Sequence, residues 1–211
     1  MSFLLNPYAY GGVLPVTDVF SRYTADSFAA PTWSDVSGNN RHAAVSRGSV
    51  SLVSSSGNGS TKTFGTLQGG TGDGILFPSD VLPSTYTVIH LARYTGSSNQ
   101  RIVTGTGNNW LSGHWSGRAG VAYHEGWITN QVNRFGNNWV LSTDQNSLYR
   151  GNRTTYGTSG GSATTRLTVN AGTYTEYSAW QVAEIIVYNR TLNSTEYISV
   201  EDFLVDKYGL S

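Results

Sequence analysis

Apolar and polar residues alternate in short bursts along most of this chain, and Gly-, Asn-, Ser- and Thr-rich turns break the alternation every few residues. Runs of that kind fit pleated, half-buried strands. The clearest is Tyr86–Tyr94 (YTVIHLARY), where Val88, His90 and Ala92 alternate with Thr87, Ile89, Leu91 and Arg93. Apolar residues on both faces predict a central strand covered on both sides. Shorter strands are predicted at Ser49–Val53, Lys62–Leu67, Arg101–Gly105, Trp110–Leu111 and Gly120–Tyr123, and Gly69–Gly74 reads as a flexible turn leading into the apolar Ile75–Phe77. Others are predicted at Trp127–Ile128, Trp139–Leu141, Ser147–Arg150 and Thr164–Val169, with one or two more within Tyr177–Val187. Phe3–Tyr10 reads as a first strand or an extended arm, with Pro7 confining it to an edge. Phe20–Phe28 is polar-aromatic and fits neither period.

The pattern changes once, at the end of the chain. Tyr197, Val200, Leu204 and Tyr208 recur at three- and four-residue spacing, which predicts a helix over about 193–208. Asn193 occupies the N-cap position with Glu196 three residues on, the spacing of a capping box. Leu192 and Tyr197 are placed for a hydrophobic staple. Gly209 can end the helix in the left-handed conformation. More than ten short strands and one terminal helix predict an all-β, two-sheet antiparallel jelly-roll sandwich. Residues 1–19 are expected to form an N-terminal arm or edge strand and 20–211 a single domain, as neither a repeat nor a linker divides them.

Composition narrows the functions. The chain has 211 residues and 25 glycines. Only 12% of its residues are charged, with thirteen basic and thirteen acidic side chains. Nucleic-acid binding needs a basic excess that is missing here. No stretch approaches the roughly 20 apolar residues of a membrane span. Cys is absent, so disulfides and thiolate metal sites are excluded. The opening MSFLLNPYAYGG has no basic n-region and is interrupted by Asn6-Pro7, so it does not read as a signal peptide.

Two landmarks at opposite ends of the chain carry a family resemblance. One is Trp33-x-Asp35-x-Ser37-Gly38-Asn39 followed by Ala43; the other is Ala183-Glu184-Ile185-Ile186-Val187-Tyr188-Asn189-Arg190 with its capped helix and closing Lys207-Tyr208-Gly209. In that order they resemble the laminin-G-like domains of the concanavalin A-like lectin/glucanase superfamily, over about residues 20–210. The resemblance implies a curved jelly roll, whose members include glycan-binding modules, glycosidases, lyases and virion appendages. The opening Phe3–Gly12 is similar to the start of such domains in bacteriophage and other viral structural proteins. A fold with such varied members does not by itself choose the function; against a polysaccharide-degrading enzyme or the glycan-binding module of a longer secreted protein, the expectation is a non-enzymatic binding or assembly module. Its setting would be virion or extracellular, as a decoration, fibre or spike component contacting host glycan or neighbouring virion proteins, and forming a homo-oligomer.

The most function-like stretch is 108–139, which packs aromatic residues among Gly and Asn. Flat rings can stack on sugar faces while a few polar groups read hydroxyls. Trp110, His114, Trp115, Tyr123, Trp127 and Arg134 are therefore the candidate glycan-binding residues, against the alternative that the tryptophans belong to the core. A polysaccharide-degrading enzyme of this fold would draw on Glu125, His114 and His124. The Glu-x-Asp-x-x-Glu spacing of the glucanase branch is missing, and so are the alginate-lyase motifs. Glu184 reads as structural. Asp35 and Asn39 are calcium candidates by their oxygen ligands, but calcium takes six or more such ligands, and an Asx-type turn at Asp35 over a packed Trp33 is the competing reading. Beyond calcium, no cofactor is implied.

Overall fold

A computed structural model describes residues 13–161 and 165–211. The strand or arm expected at Phe3–Tyr10, and most of the 1–19 segment, lies outside the described residues. In chain order the strands are β1 Ser21–Thr24, β2 Phe28–Ala29, β3 Thr32–Trp33, β4 Ala43–Arg47, β5 Ser51–Ser55, β6 Phe64–Gly69, β7 Gly74–Leu76 and β8 Thr87–Tyr94. They continue as β9 Val103–Thr106, β10 Trp110–Trp115, β11 Arg118–His124, β12 Val140–Gln145, β13 Tyr149–Gly151, β14 Thr154–Gly157, β15 Arg166–Val169 and β16 Trp180–Tyr188. Helix α1 spans Ser194–Tyr208.

The strands form two antiparallel sheets. The first runs β14-β13-β12-β8-β16-β6-β5, with β1 also paired to β16. The second runs β11-β10-β9-β15-β7-β4-β3-β2. This is the expected sandwich with its C-terminal helix. Trp127–Ile128 departs from expectation: Trp127 makes only an isolated bridge to Tyr123, because the chain turns back there instead of continuing a ladder.

Two apolar layers hold the molecule, and β8 shows why its sequence is apolar on both faces. Val88, Ala92 and Tyr94 enter the core between the sheets with Trp33, Phe77, Trp110 and Trp180. Ile89 and Leu91 face the other way and pack with Phe203, Leu204 and Tyr208 of α1. Leu14 and Val16, just ahead of β1, join this second layer. All nine residues of β16 are buried for the same reason. A register irregularity between Val182 and Glu184 interrupts its alternation, a β-bulge that re-aims the strand.

The bulge turns Glu184 toward α1. Its carboxylate accepts from Arg22 Nε at 2.7 Å, Lys207 Nζ at 2.6 Å and the Tyr208 hydroxyl at 2.6 Å. Burial works against the charged form, but the Lys207 and Arg22 charges and the Lys207 and Tyr208 hydrogen bonds outweigh it and hold the carboxyl below its usual range. Glu184 is a structural anchor between sheet and helix.

The start of α1 carries the capping box in full: Glu196 N donates to Asn193 Oδ1 at 3.1 Å and Asn193 N donates to Glu196 Oε2 at 2.8 Å. Gly209 closes the helix at φ 61°, ψ 42°. Asn193→Ala is expected to cost about 1 kcal/mol of folding stability, read by chemical denaturation, because it leaves one of the helix's first N–H groups unpaired.

Candidate functional site

The β10–β11 hairpin builds the site. Trp115 pairs with Arg118 across a two-residue turn in which both Ser116 (φ 48°) and Gly117 (φ 77°) are left-handed. Such turns match the twist of a hairpin and fix its register. Register then decides which aromatic side chains reach solvent. Leu111 lies opposite Tyr123 in the ladder, and both line one outward groove together with Trp115.

The loop after β11 completes the aromatic surface. Glu125, at φ 53°, donates its N–H to the Asn109 carbonyl at 2.9 Å, and its carboxylate accepts from Asn109 N at 2.6 Å. This tight return lays Trp127 over the hairpin. Its ring centroid is 5.1 Å from that of Tyr123 at 74° and 5.1 Å from that of Trp115 at 61°. These are edge-to-face contacts that hold large aromatic surfaces rigidly. All three rings are half-buried.

The fourth wall comes from far away in sequence. Arg101 makes a parallel bridge to Tyr177, which brings the 171–177 connection beside β10. Tyr174, exposed, and Glu176 thereby enter the groove. Arg101 Nε donates to Glu176 Oε2 at 2.5 Å and its NH1 to Asn109 Oδ1 at 2.8 Å, while its guanidinium stacks 4.5 Å from the Tyr174 ring. Trp115 Nε1 reaches Glu176 Oε1 at 3.4 Å. Asn109 and Gln131 also line the space. The result is an open groove of about 340 Å³ with aromatic walls and a few fixed polar groups. Concave sites that bind small molecules have this make-up.

No family model and no curated protein matches the chain. Solved structures do. Domain 4 of AbnA, an extracellular arabinanase from Geobacillus stearothermophilus in complex with arabinotriose, superposes with a TM-score of 0.62 at 13% identity, covering 88% of this chain and 98% of that one. The Trypanosoma rangeli sialidase in complex with the inhibitor DANA gives 0.58 at 14% identity, over 95% of this chain but 35% of the sialidase. The binding domain of Paraclostridial mosquitocidal protein 1 gives 0.56 at 15% identity, over 88% and 51%. What these structures share with the chain is the fold, a two-sheet antiparallel β-sandwich. The chain spans about a third of the sialidase and half of the mosquitocidal binding domain.

Within this sandwich the candidate residues separate into three groups. Trp115, Tyr123 and Trp127 meet in the groove. Trp110 and His114 do not, and as glycan-binding residues they are corrected: both are fully buried between the sheets. Trp110 donates to the Tyr86 hydroxyl at 2.8 Å, and His114 packs edge-on to Tyr94 with ring centroids 4.7 Å apart. Strand alternation sends both inward, one residue from neighbours that point out. Arg134 is corrected as well. Its guanidinium donates to the backbone carbonyl of Gly120 at 2.7 Å and lies 4.2 Å from the Tyr156 ring, and Arg134 does not line the groove.

The conditional catalytic set Glu125, His114 and His124 does not converge. Glu125 is exposed, whereas both histidines are sealed in the core. His124 stacks on Trp110 at 5.3 Å and 14°, and its Nε2 lies 3.1 Å from the Asp144 carboxylate. The calcium candidates are corrected too, because their atoms have other partners. Asp35 accepts from the N–H groups of Arg22, Ser37 and Arg41 at 2.9–3.0 Å, as a turn-forming carboxylate does. Burial raises its pKa, but these hydrogen bonds win and keep it below the usual range. Asn39 Nδ2 donates to the carbonyls of Val19 and Phe20. Among the described residues no group of three or more His, Asp or Glu is placed to hold a metal, and no helix is long and apolar enough to cross a membrane, which says nothing of β-barrels.

Arg101, Asn109, Tyr174 and Glu176 carry little signal in the sequence. Their one local mark is the pair of tyrosines flanking Glu176 within an otherwise small-residue connection, Ala171–Ser178.

Proposed function

We propose that this protein is a carbohydrate-binding module and that the Trp115–Tyr123–Trp127 groove is its ligand site. The observation that carries the reading is three interlocked aromatic side chains on one outward face, rimmed by Asn109, Gln131 and the Arg101–Glu176 pair. Sugar rings present apolar faces that stack on such surfaces and hydroxyls that take hydrogen bonds from the rim. The arabinotriose complex of the similarly folded arabinanase domain supports the assignment. The setting we propose is a virion surface or another extracellular assembly, where the module attaches to host or environmental glycan without turning it over. That part rests on the viral-type opening Phe3–Gly12 alone.

A glycan array on the intact protein is expected to return hits. Trp127→Ala should weaken the best of them at least tenfold by isothermal titration, since aromatic anchors at the centre of a site contribute about 2 kcal/mol or more. Far-ultraviolet circular dichroism and thermal unfolding serve as controls for the fold. Unchanged affinity in a folded variant would move the ligand site elsewhere, and a blank array would sink the function.

A further inference from the structure

We infer that the groove takes a short stretch of one soluble glycan chain whose successive sugars turn relative to one another, and not the flat face of a packed polysaccharide. This deepens the carbohydrate-binding reading and rests on it. The four rings of the groove come from four segments: Trp115 from β10, Tyr123 from β11, Trp127 from the loop that follows and Tyr174 from the 171–177 connection. Nothing in such an arrangement makes them coplanar. Trp127, in the middle, stands at 61° to Trp115 and at 74° to Tyr123. A planar surface laid on Trp127 therefore meets both neighbours edge-on, and one laid on either neighbour meets Trp127 edge-on. Sugars joined by a turning linkage can each present a face to a different ring.

Space and polar groups point the same way. The groove's volume of about 340 Å³ is near the lower end of the roughly 300–1,000 Å³ of small-molecule sites. It has room for a few sugars of one chain and none for a second chain beside them. Asn109 gives its Oδ1 to Arg101, which leaves Nδ2 to donate. The exposed Gln131 adds a second amide, and Glu176, its side chain 35% exposed, adds an acceptor. A chain in solution has hydroxyls to offer all three. In a packed polysaccharide the hydroxyls are engaged between neighbouring chains, so docking would strip water from these groups without replacing it. Outside the groove no exposed ring offers a flat platform among the described residues: the large hydrophobic side chains exposed there are the aliphatic Val13, Val36, Leu52, Val132 and Ile198.

The test sets soluble chains with turning linkages (arabinan, laminarin and amylose) against microcrystalline cellulose and chitin, with the whole protein in each assay. At least one soluble chain is expected to retard the protein in affinity electrophoresis, while neither solid depletes it beyond a bare-bead blank. Isothermal titration with oligosaccharides of the retarding polymer should show affinity rising over the first few sugars and then levelling. Tyr123→Leu should weaken binding at least about fivefold, since neighbouring sugars engage different rings. Thermal unfolding controls for the fold, and the length series on the wild type carries the test if the variant does not fold. Depletion by cellulose or chitin above the blank would overturn the inference while leaving carbohydrate binding intact. So would an affinity that keeps rising along the series, or a folded Tyr123→Leu that binds as the wild type does. No binding to any member of the panel would instead remove the carbohydrate-binding reading on which the inference stands.

Discussion

Lowering the pH from 6.5 to 4 is expected to strip several kcal/mol from the folding free energy, mostly before the carboxylates titrate. Two histidines, His90 and His114, sit fully buried between the sheets. Burial disfavours their charged forms and pulls both pKa values down to about 3, and the proximity of His90 lowers His114 further. His90 has one partner, its Nε2 lying 2.9 Å from Ser112 Oγ, and neither ring nitrogen of His114 has any. In the unfolded chain both regain a pKa of about 6.5. Below that value the unfolded state binds two protons that the native state refuses, so stability falls as the pH falls. It is fully present above about pH 6.5 and drains until the folded pKa values near 3 are reached. Each histidine contributes up to about 1.4 kcal/mol per pH unit, so the slope of unfolding free energy approaches about 3 kcal/mol per unit near pH 5. Glu184 and Asp35, whose carboxyls are held low, add to the loss only below about pH 4.5. Urea denaturation at pH 7.5, 6, 5 and 4 measures the slope, and His114→Phe should roughly halve it. A flat profile between pH 7 and 5 would mean that these side chains are protonated or hydrated in the folded protein.

The second large effect lies between sheet and helix. Glu201 of α1 is 1% exposed, and its carboxylate accepts from Arg150 Nε at 2.8 Å, Arg150 NH2 at 2.9 Å and Thr143 Oγ1 at 2.8 Å. Arg150→Met would leave that carboxylate buried with a single neutral donor. The expected loss is about 3–5 kcal/mol, the usual cost of removing one partner of a buried pair. Replacing both partners with apolar side chains, Arg150→Met with Glu201→Leu, should recover most of it, because the orphaned charge goes too. The Arg153–Asp202 pair, 2.7 Å apart, makes the contrast. Both side chains are about half exposed, so Arg153→Ala should cost under about 1 kcal/mol. Chemical denaturation of the three variants tests the set, and a loss in Arg150→Met no larger than in Arg153→Ala would show that Glu201 finds water.

Legibility in the sequence tracks interaction range. The capped helix at Ser194–Tyr208 was legible because its determinants lie within four residues of one another: Asn193 against Glu196, and Gly209 closing the last turn. The central strand Thr87–Tyr94 was legible because burial on two faces leaves a two-faced apolar pattern. The two-sheet sandwich emerges from many such local signals pointing the same way. The site was only half legible. Composition marked 108–139 as aromatic, but Trp110 and Trp115 stand in one strand with similar neighbours. Nothing local tells which parity faces the opposite sheet, since that depends on which face of β10 the first sheet covers. Tyr174 and Glu176 are invisible from there, because a bridge joining residues 101 and 177 brings them in. Local chemistry determined the helix, the strands and the kind of surface to look for. Only the tertiary structure decided which rings face solvent and which carboxylate stands beside them, because burial and long-range pairing are properties of the packed sheets and not of any segment.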